Sequence, residues 1–244
     1  MMKTLFVLLS LTGYSVIALS QATPDTAFVQ ASVLSAKKIY DQSIERQLNI
    51  YNGRDYKLYV PIGEEHPYFL TDDWTLSTIV YESDLYTSIP VLFDLSSEKV
   101  LTENPFNGEV MELASSKIER FEIHGHTFVR LNRNPTFESE MTDGFYELLY
   151  QGNLKLYAKR KKNFQERPKA NIMYAEFDEK NKYFLFNGRQ YYRVTGKSSF
   201  IKAMGGKKKI PGGSVRKSKT YAVNKTEDTL IYLTELYDTH TPAL

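Results

Sequence analysis

The phrase Tyr51-Asn52-Gly53-Arg54-Asp55-Tyr56 returns as Phe186-Asn187-Gly188-Arg189-Gln190-Tyr191. Each copy is an aromatic residue, an Asn-Gly pair, an arginine, a polar residue and a tyrosine. Asn-Gly is the strongest short hairpin signal, because a type I′ turn needs positive φ at both central residues, which glycine accepts freely and asparagine tolerates. Apolar alternation flanks the second copy on both sides, so a hairpin is expected there at least. Ser83-Asp84, His124-Gly125 and Gln151-Gly152 punctuate further runs dense in Tyr, Phe, Val and Ile, among them residues 145–150 and 154–158. These residue types suit a pleated, half-buried surface. The turn-to-turn gaps, roughly 30 to 40 residues and uneven, disfavour a propeller with blades of constant period. The expected fold is mainly β, of the α+β kind: an irregular antiparallel β-meander forming a sandwich or a partly open barrel.

Helical patterning is confined to the two ends. Val33, Ala36, Tyr40, Ile44 and Leu48 recur at steps of three to four, with Lys37, Lys38, Asp41, Glu45 and Arg46 on the other faces, which predicts a short amphipathic helix over 33–48. Asn52-Gly53 should close it. Near the other end, Ser198 or Ser199 is placed to cap a short helix carrying Phe200, Ile201 and Met204, with Gly205-Gly206 as its stop. Asn224 to Glu227 has capping-box spacing, Glu227 and Asp228 suit a first turn, and Leu230, Ile231, Leu233, Leu236 and Tyr237 form a stripe wide enough to require docking on the sheet. The expected organisation is a leader over 1–22, a β-rich domain with its N-terminal helix over 23–195, and a C-terminal helical segment over 196–244 packed on the same domain.

The leader is read from three regions in order. Lys3 supplies a positive start, residues 5–18 an apolar stretch too short to span a bilayer, and Ser20-Gln21-Ala22 a small-x-small cleavage site before Thr23-Pro24-Asp25. A signal peptide cleaved after Ala22 implies an exported protein, periplasmic or envelope-associated, with no transmembrane span in the mature chain. The sequence has no cysteine, which excludes a disulfide framework, a thiolate nucleophile, a zinc ribbon, an iron–sulfur site and an acylated anchor. Stability must then come from a core, and 42% hydrophobic and 14% aromatic residues supply one. Loss of Lys3 with the leader leaves one more basic than acidic residue, so bulk charge selects no partner.

Few residues suggest chemistry. His124 and His126 have the His-x-His spacing that puts two imidazoles on one strand face, but His124-Gly125 reads as the turn between strands at 121–123 and 127–129, and a metal site needs three or more converging ligands. Gly196-Lys197-Ser198 resembles the tail of a phosphate loop, yet Tyr191 stands where the first glycine belongs. There is no G-x-S-x-G elbow. Asp72-Asp73 and Glu64-Glu65 are adjacent acids that a strand would point to opposite faces, so they read as solvated loop residues. No catalytic residue, metal site or cofactor is therefore expected. Two basic clusters remain: Lys159, Arg160, Lys161 and Lys162, and the glycine-flanked Lys207, Lys208 and Lys209, followed by Arg216, Lys217 and Lys219. Export removes nucleic acid as their partner and leaves an anionic envelope surface or an envelope protein. The alternative is that Lys155, Lys159 and Lys161 are the solvated face of a strand, guarding an edge.

Residues 144–152 and 155–162, read with 126–131 before them and 192–194 and 199–200 after them, resemble a group of exported proteins of Bacteroidetes-type bacteria that carries no assigned activity. The resemblance covers most of the mature chain and implies an envelope location. Members of that group carry a longer lysine-rich helical tail, whereas this chain has Gly205-Gly206 and Pro211-Gly212-Gly213 there. The expected function is that of a non-enzymatic envelope or periplasmic interaction or surface-binding domain. The alternative is a lipid- or glycan-binding protein, or a hydrolase, with an aromatic-lined cleft in the β-domain that includes His126 or Asp73.

Overall fold

The computed structural model describes residues 26–44, 49–58, 65–133, 140–169, 172–206 and 225–240. The leader, Leu48, Glu64, Lys207 to Lys209, Pro211-Gly212-Gly213, Arg216, Lys217, Lys219 and Asn224 lie outside them. The chain divides into two compact units, residues 1–45 and 46–244. In the first, helix α1 spans Thr26–Ile44. It starts earlier than the apolar stripe suggests, because no glycine or proline interrupts residues 26–32. Val33, Leu34 and Ile39 are exposed on it. No helix among the described residues is long and apolar enough to cross a membrane.

The second unit is built on antiparallel strands. Those of the main sheet are β1 (Arg54–Asp55), β2 (Thr75–Tyr81), β3 (Asp84–Asp94), β4 (Lys99–Glu103), β5 (Val110–Glu112), β6 (Ile118–Ile123), β7 (His126–Leu131), β8 (Gly144–Gln151), β9 (Lys155–Lys159), β12 (Lys182–Phe186) and β13 (Tyr191–Val194). They form an eleven-stranded sheet in the order β1-β5-β4-β3-β2-β6-β7-β8-β9-β12-β13, which does not close into a barrel. Between β9 and β12 the chain leaves to make β10 (Lys162–Lys169) and β11 (Ile172–Glu179), which pair only with each other. Two helices follow, α2 (Lys197–Ala203) and α3 (Lys225–His240).

The turns show which local signals were decisive. His124 (φ 51°) and Gly125 (φ 79°) link Ile123 to His126 in the two-residue turn that the sequence predicts. Asn187-Gly188 also turns a hairpin, but through four residues: Phe186 pairs with Tyr191, and Asn187 Oδ1 accepts from the N–H groups of Arg189 and Gln190, both at 3.1 Å. The first copy of the phrase is not a hairpin. Asn49–Tyr51 is a 3₁₀ turn and β1 pairs with the distant β5. There Gly53 serves close packing, since a Cβ on it would run into the Glu112 carbonyl oxygen.

One face of the sheet buries Ile79, Phe93, Phe121, Phe128 and Phe145, whose rings meet mostly edge to face at centroid distances of 5.0–5.8 Å. Farther along the sheet, Leu156, Ala158, Tyr183, Leu185 and Val194 pack under α2 and α3 through Phe200, Leu230, Leu233 and Tyr237. The predicted helical segment thus docks as its stripe requires. Gly205 and Gly206, both at positive φ, end α2 by donating to the Lys202 and Ile201 carbonyls at 3.0 Å. Ser199 Oγ, three residues into the turn, accepts from the Gly196 N–H at 3.1 Å, so Gly196 rather than a serine is the cap residue.

Candidate functional site

The sheet register brings four charged or titratable side chains together below the start of α3. Phe128 on β7 lies opposite Glu147 on β8, and Glu147 lies opposite Ala158 on β9. His126, two residues before Phe128, and Arg160, two residues after Ala158, are therefore diagonal neighbours of Glu147 on the same face. Glu147 is buried, 3% exposed, and uses both oxygens: Oε1 accepts from His126 Nδ1 at 2.5 Å and Oε2 from Arg160 Nε at 2.5 Å. The other end of the guanidinium is gripped by Glu227 in the first turn of α3, Nη1 to Oε2 at 2.7 Å and Nη2 to Oε1 at 3.0 Å. Burial opposes the charged form of Arg160, but the hydrogen bonds and charges of Glu227 and Glu147 outweigh it and hold the guanidinium protonated well above its ordinary range.

Phe69 closes this chain on one side. Its ring lies edge-on to His126 at 5.2 Å and to Phe128 at 5.0 Å, and is tilted against His124 at 6.5 Å. The His124 ring also meets Thr75 Oγ1, 3.1 Å from Nε2. The two histidines thus flank one phenylalanine from another loop and are tied to different partners. Among the described residues no three His, Asp or Glu side chains converge to hold a metal.

The run Lys159 to Lys162 is not a free basic patch. Lys159 and Arg160 are each 8% exposed, because β9 lies between β8 and β12 inside the sheet. Lys159 pairs with Glu98, and its ammonium sits 4.6 Å from the centre of the Tyr146 ring. Burial pushes the Lys159 amine below its ordinary value, with Glu98 opposing. Lys162 donates to the carbonyls of His66 and Tyr68, both at 2.8 Å, and burial lowers it as well. Of the four only Lys161 is exposed. The solvated-edge alternative fails for the same reason, since Lys155 is half-buried, Lys159 is buried, and β9 is no edge.

Two further features stand out. A cavity of about 340 Å³ opens beside β12, β13 and the start of α3, lined by Glu179, Asn181, Lys182, Arg193, Thr195 and Thr226 with Tyr183 as its aromatic side chain. His126 and the exposed Asp73 are not on its wall, so it is not the aromatic cleft considered from the sequence. The other is the β10–β11 hairpin, an arm paired with no strand of the main sheet. Phe164, Ile172 and Met173 on it are 42–49% exposed, the Phe164 and Phe177 rings meet at 5.5 Å, and Arg167 pairs with Glu176 at 2.6 Å.

Glu147, Glu98 and the arm were not singled out from the sequence, and Glu227 was read from it only as a first-turn acid of the C-terminal helix, which it is. The available signal was parity: an acid at the inward position after Phe145, and an arginine at the inward position after Ala158. No protein-family model, curated protein or solved structure matches the chain.

Proposed function

We propose that this protein is an exported, non-enzymatic envelope or periplasmic domain that binds a partner protein, with the β10–β11 arm as its contact element. The observation that carries this reading is the arm: eight-residue strands that pair only with each other, yet present Phe164, Ile172 and Met173 to solvent. Exposed apolar side chains on a self-paired hairpin are a contact surface more readily than a core. The charges below α3 favour the same reading, because Arg160, Glu147 and Glu227 are engaged with one another as ties between β8, β9 and α3. With Lys159, Arg160 and Lys162 engaged internally, a protein partner is better supported than an anionic surface.

The test is complex formation. The protein purified from the envelope fraction should elute with a stoichiometric partner and begin at Thr23. The double variant Phe164→Ser, Ile172→Ser should elute alone while its unfolding midpoint stays within the error of the parent. An unaltered complex in the double variant removes the arm from the reading, and recovery of the protein from the cytoplasm overturns the export assignment.

A further inference from the structure

The outward face of the main sheet departs from the alternation that water-exposed strands follow. Along β2, Ser77, Ile79 and Tyr81 are buried, so Leu76, Thr78 and Val80 point to the opposite face. The register carries that face across four strands. On β3, Pro90 lies opposite Leu76 and Leu85 opposite Val80. On β6, Glu122 lies opposite Thr78 and Arg120 opposite Val80, and on β7, Thr127 and Val129 continue the two rows. An antiparallel sheet with one solvated face carries polar residues there, yet Leu76 is 72% and Leu85 61% exposed. Val80, Pro90 and Val129 are half-buried. The apolar side chains are neighbours in pairs, Leu76 with Pro90 and Val80 with Leu85, rather than scattered singly.

In the middle of this face stand one base and one acid. Arg120 and Glu122 are both exposed, and among the described residues neither side chain has a hydrogen-bond or ion-pair partner. They are two residues apart on one strand, so on the order of 7 Å separates them along β6. That arrangement selects the occupant. A surface of a single sign attracts one of the two charges and repels the other. A second copy satisfies both: a two-fold axis lying between the two sheets and crossing β6 at Phe121 sets Arg120 of each copy over Glu122 of the other. The two β6 strands then run antiparallel, within the aligned geometry of packed sheets, and Leu76, Val80 and Leu85 of both copies leave water on one flank of the charges. An axis along β6 would instead set Arg120 over Arg120, so the charges fix the axis as well as the partner. Four strands by three outward residues make a face of roughly 400 Å² in each copy, half that of a standard interface, so the pair is a reversible one.

We propose that this protein self-associates through the outer face of β2, β3 and β6, two copies exchanging Arg120–Glu122 ion pairs across a two-fold axis. The surface includes no residue of the β10–β11 arm, so it stands apart from the contact assigned to the arm.

Sedimentation equilibrium of the mature protein at up to millimolar concentration should show monomer and dimer in exchange. Arg120→Glu and Glu122→Arg each place like charges face to face and should weaken association by about tenfold or more. Both side chains are exposed, so the unfolding midpoints should match the parent. Mixed in equal amounts, the two variants should form a heterodimer of near-parental affinity, because one copy then carries two acids and the other two bases. The double variant Leu76→Ser, Leu85→Ser should weaken association as well. A monomer at every concentration, undiminished association in either charge variant or in the leucine variant, or a mixture that stays monomeric overturns the proposal. So does self-association that Phe164→Ser, Ile172→Ser abolishes and Arg120→Glu retains, which would assign the contact between copies to the arm.

Discussion

Arg160 and Glu227 join in a two-pronged ion pair across 67 residues of chain, at 2.7 and 3.0 Å, and so fix the first turn of α3 to the end of β9. The far end of the helix is held by Asp238, which accepts from Tyr150 Oη at 2.9 Å and from the Leu154 N–H at 2.8 Å. α3 is therefore clamped at both ends by carboxylates, with Leu230, Leu233 and Tyr237 buried between them.

Arg160→Ala should be among the most damaging single changes, because it leaves the buried Glu147 without its guanidinium partner and removes the two-pronged contact that Glu227 makes with β9. A loss of about 3–5 kcal/mol is expected from breaking a buried pair on one side. Glu227→Gln should cost clearly less, since Arg160 keeps Glu147. Urea unfolding checks the order, and a loss below 1 kcal/mol for Arg160→Ala would mean that the pair is solvated.

Phe69→Ala removes the ring that Phe128 and His126 enclose and should cost about 3–5 kcal/mol. The effect should also be local. Phe69 donates to the Phe93 carbonyl at 2.9 Å and Leu95 to the Pro67 carbonyl at 3.0 Å, so the Phe69 and Leu95 amides should exchange faster in the variant than amides of β12. Uniform acceleration across the sheet would show instead that the loop is not separately anchored.

Alkaline stability should rise and then fall. Burial pushes Tyr68 and Tyr157 up to about 12 from 10.0, so each contributes stability that is complete below pH 10 and is lost as pH rises towards 12. Lys159 and Lys162 run the other way: burial lowers both below 10.5, the unfolded chain binds more protons in that window, and stability climbs with pH through it. Denaturation midpoints measured from pH 8 to 12, with phenolate absorbance followed in parallel, should show a shallow maximum and a late-titrating tyrosine class. A monotonic decline from pH 8 with all tyrosines titrating together would contradict this.

Gly53→Ala and Gly188→Ala separate the two copies of the repeated phrase. At Gly188, φ is 87° and nothing lies near a new Cβ, so only backbone strain of about 1–2 kcal/mol is expected. At Gly53 the Cβ meets the Glu112 carbonyl, and β1 must part from β5, which should cost more. Equal losses would refute the packing role of Gly53.

How much was legible follows from the range of each interaction. The His124-Gly125 turn, the Gly205-Gly206 stop and the apolar stripe of α3 rest on residues within a few positions of one another, and all three are where the sequence places them. The basic run at 159–162 was not legible as an internal tie. Its burial depends on β12 covering β9 after an excursion through the arm, and on Glu98 and Glu227 arriving from distant chain.

By itself, then, the sequence determined an antiparallel β-protein without disulfides, the His124-Gly125 and Asn187-Gly188 turns and the docking C-terminal helix, because φ preferences and apolar periodicity act locally. Only the tertiary structure decided that Gly53 is a packing glycine and that Arg160 is a strut rather than a surface charge. Each of those depends on strand register, which brings together groups that the chain holds far apart.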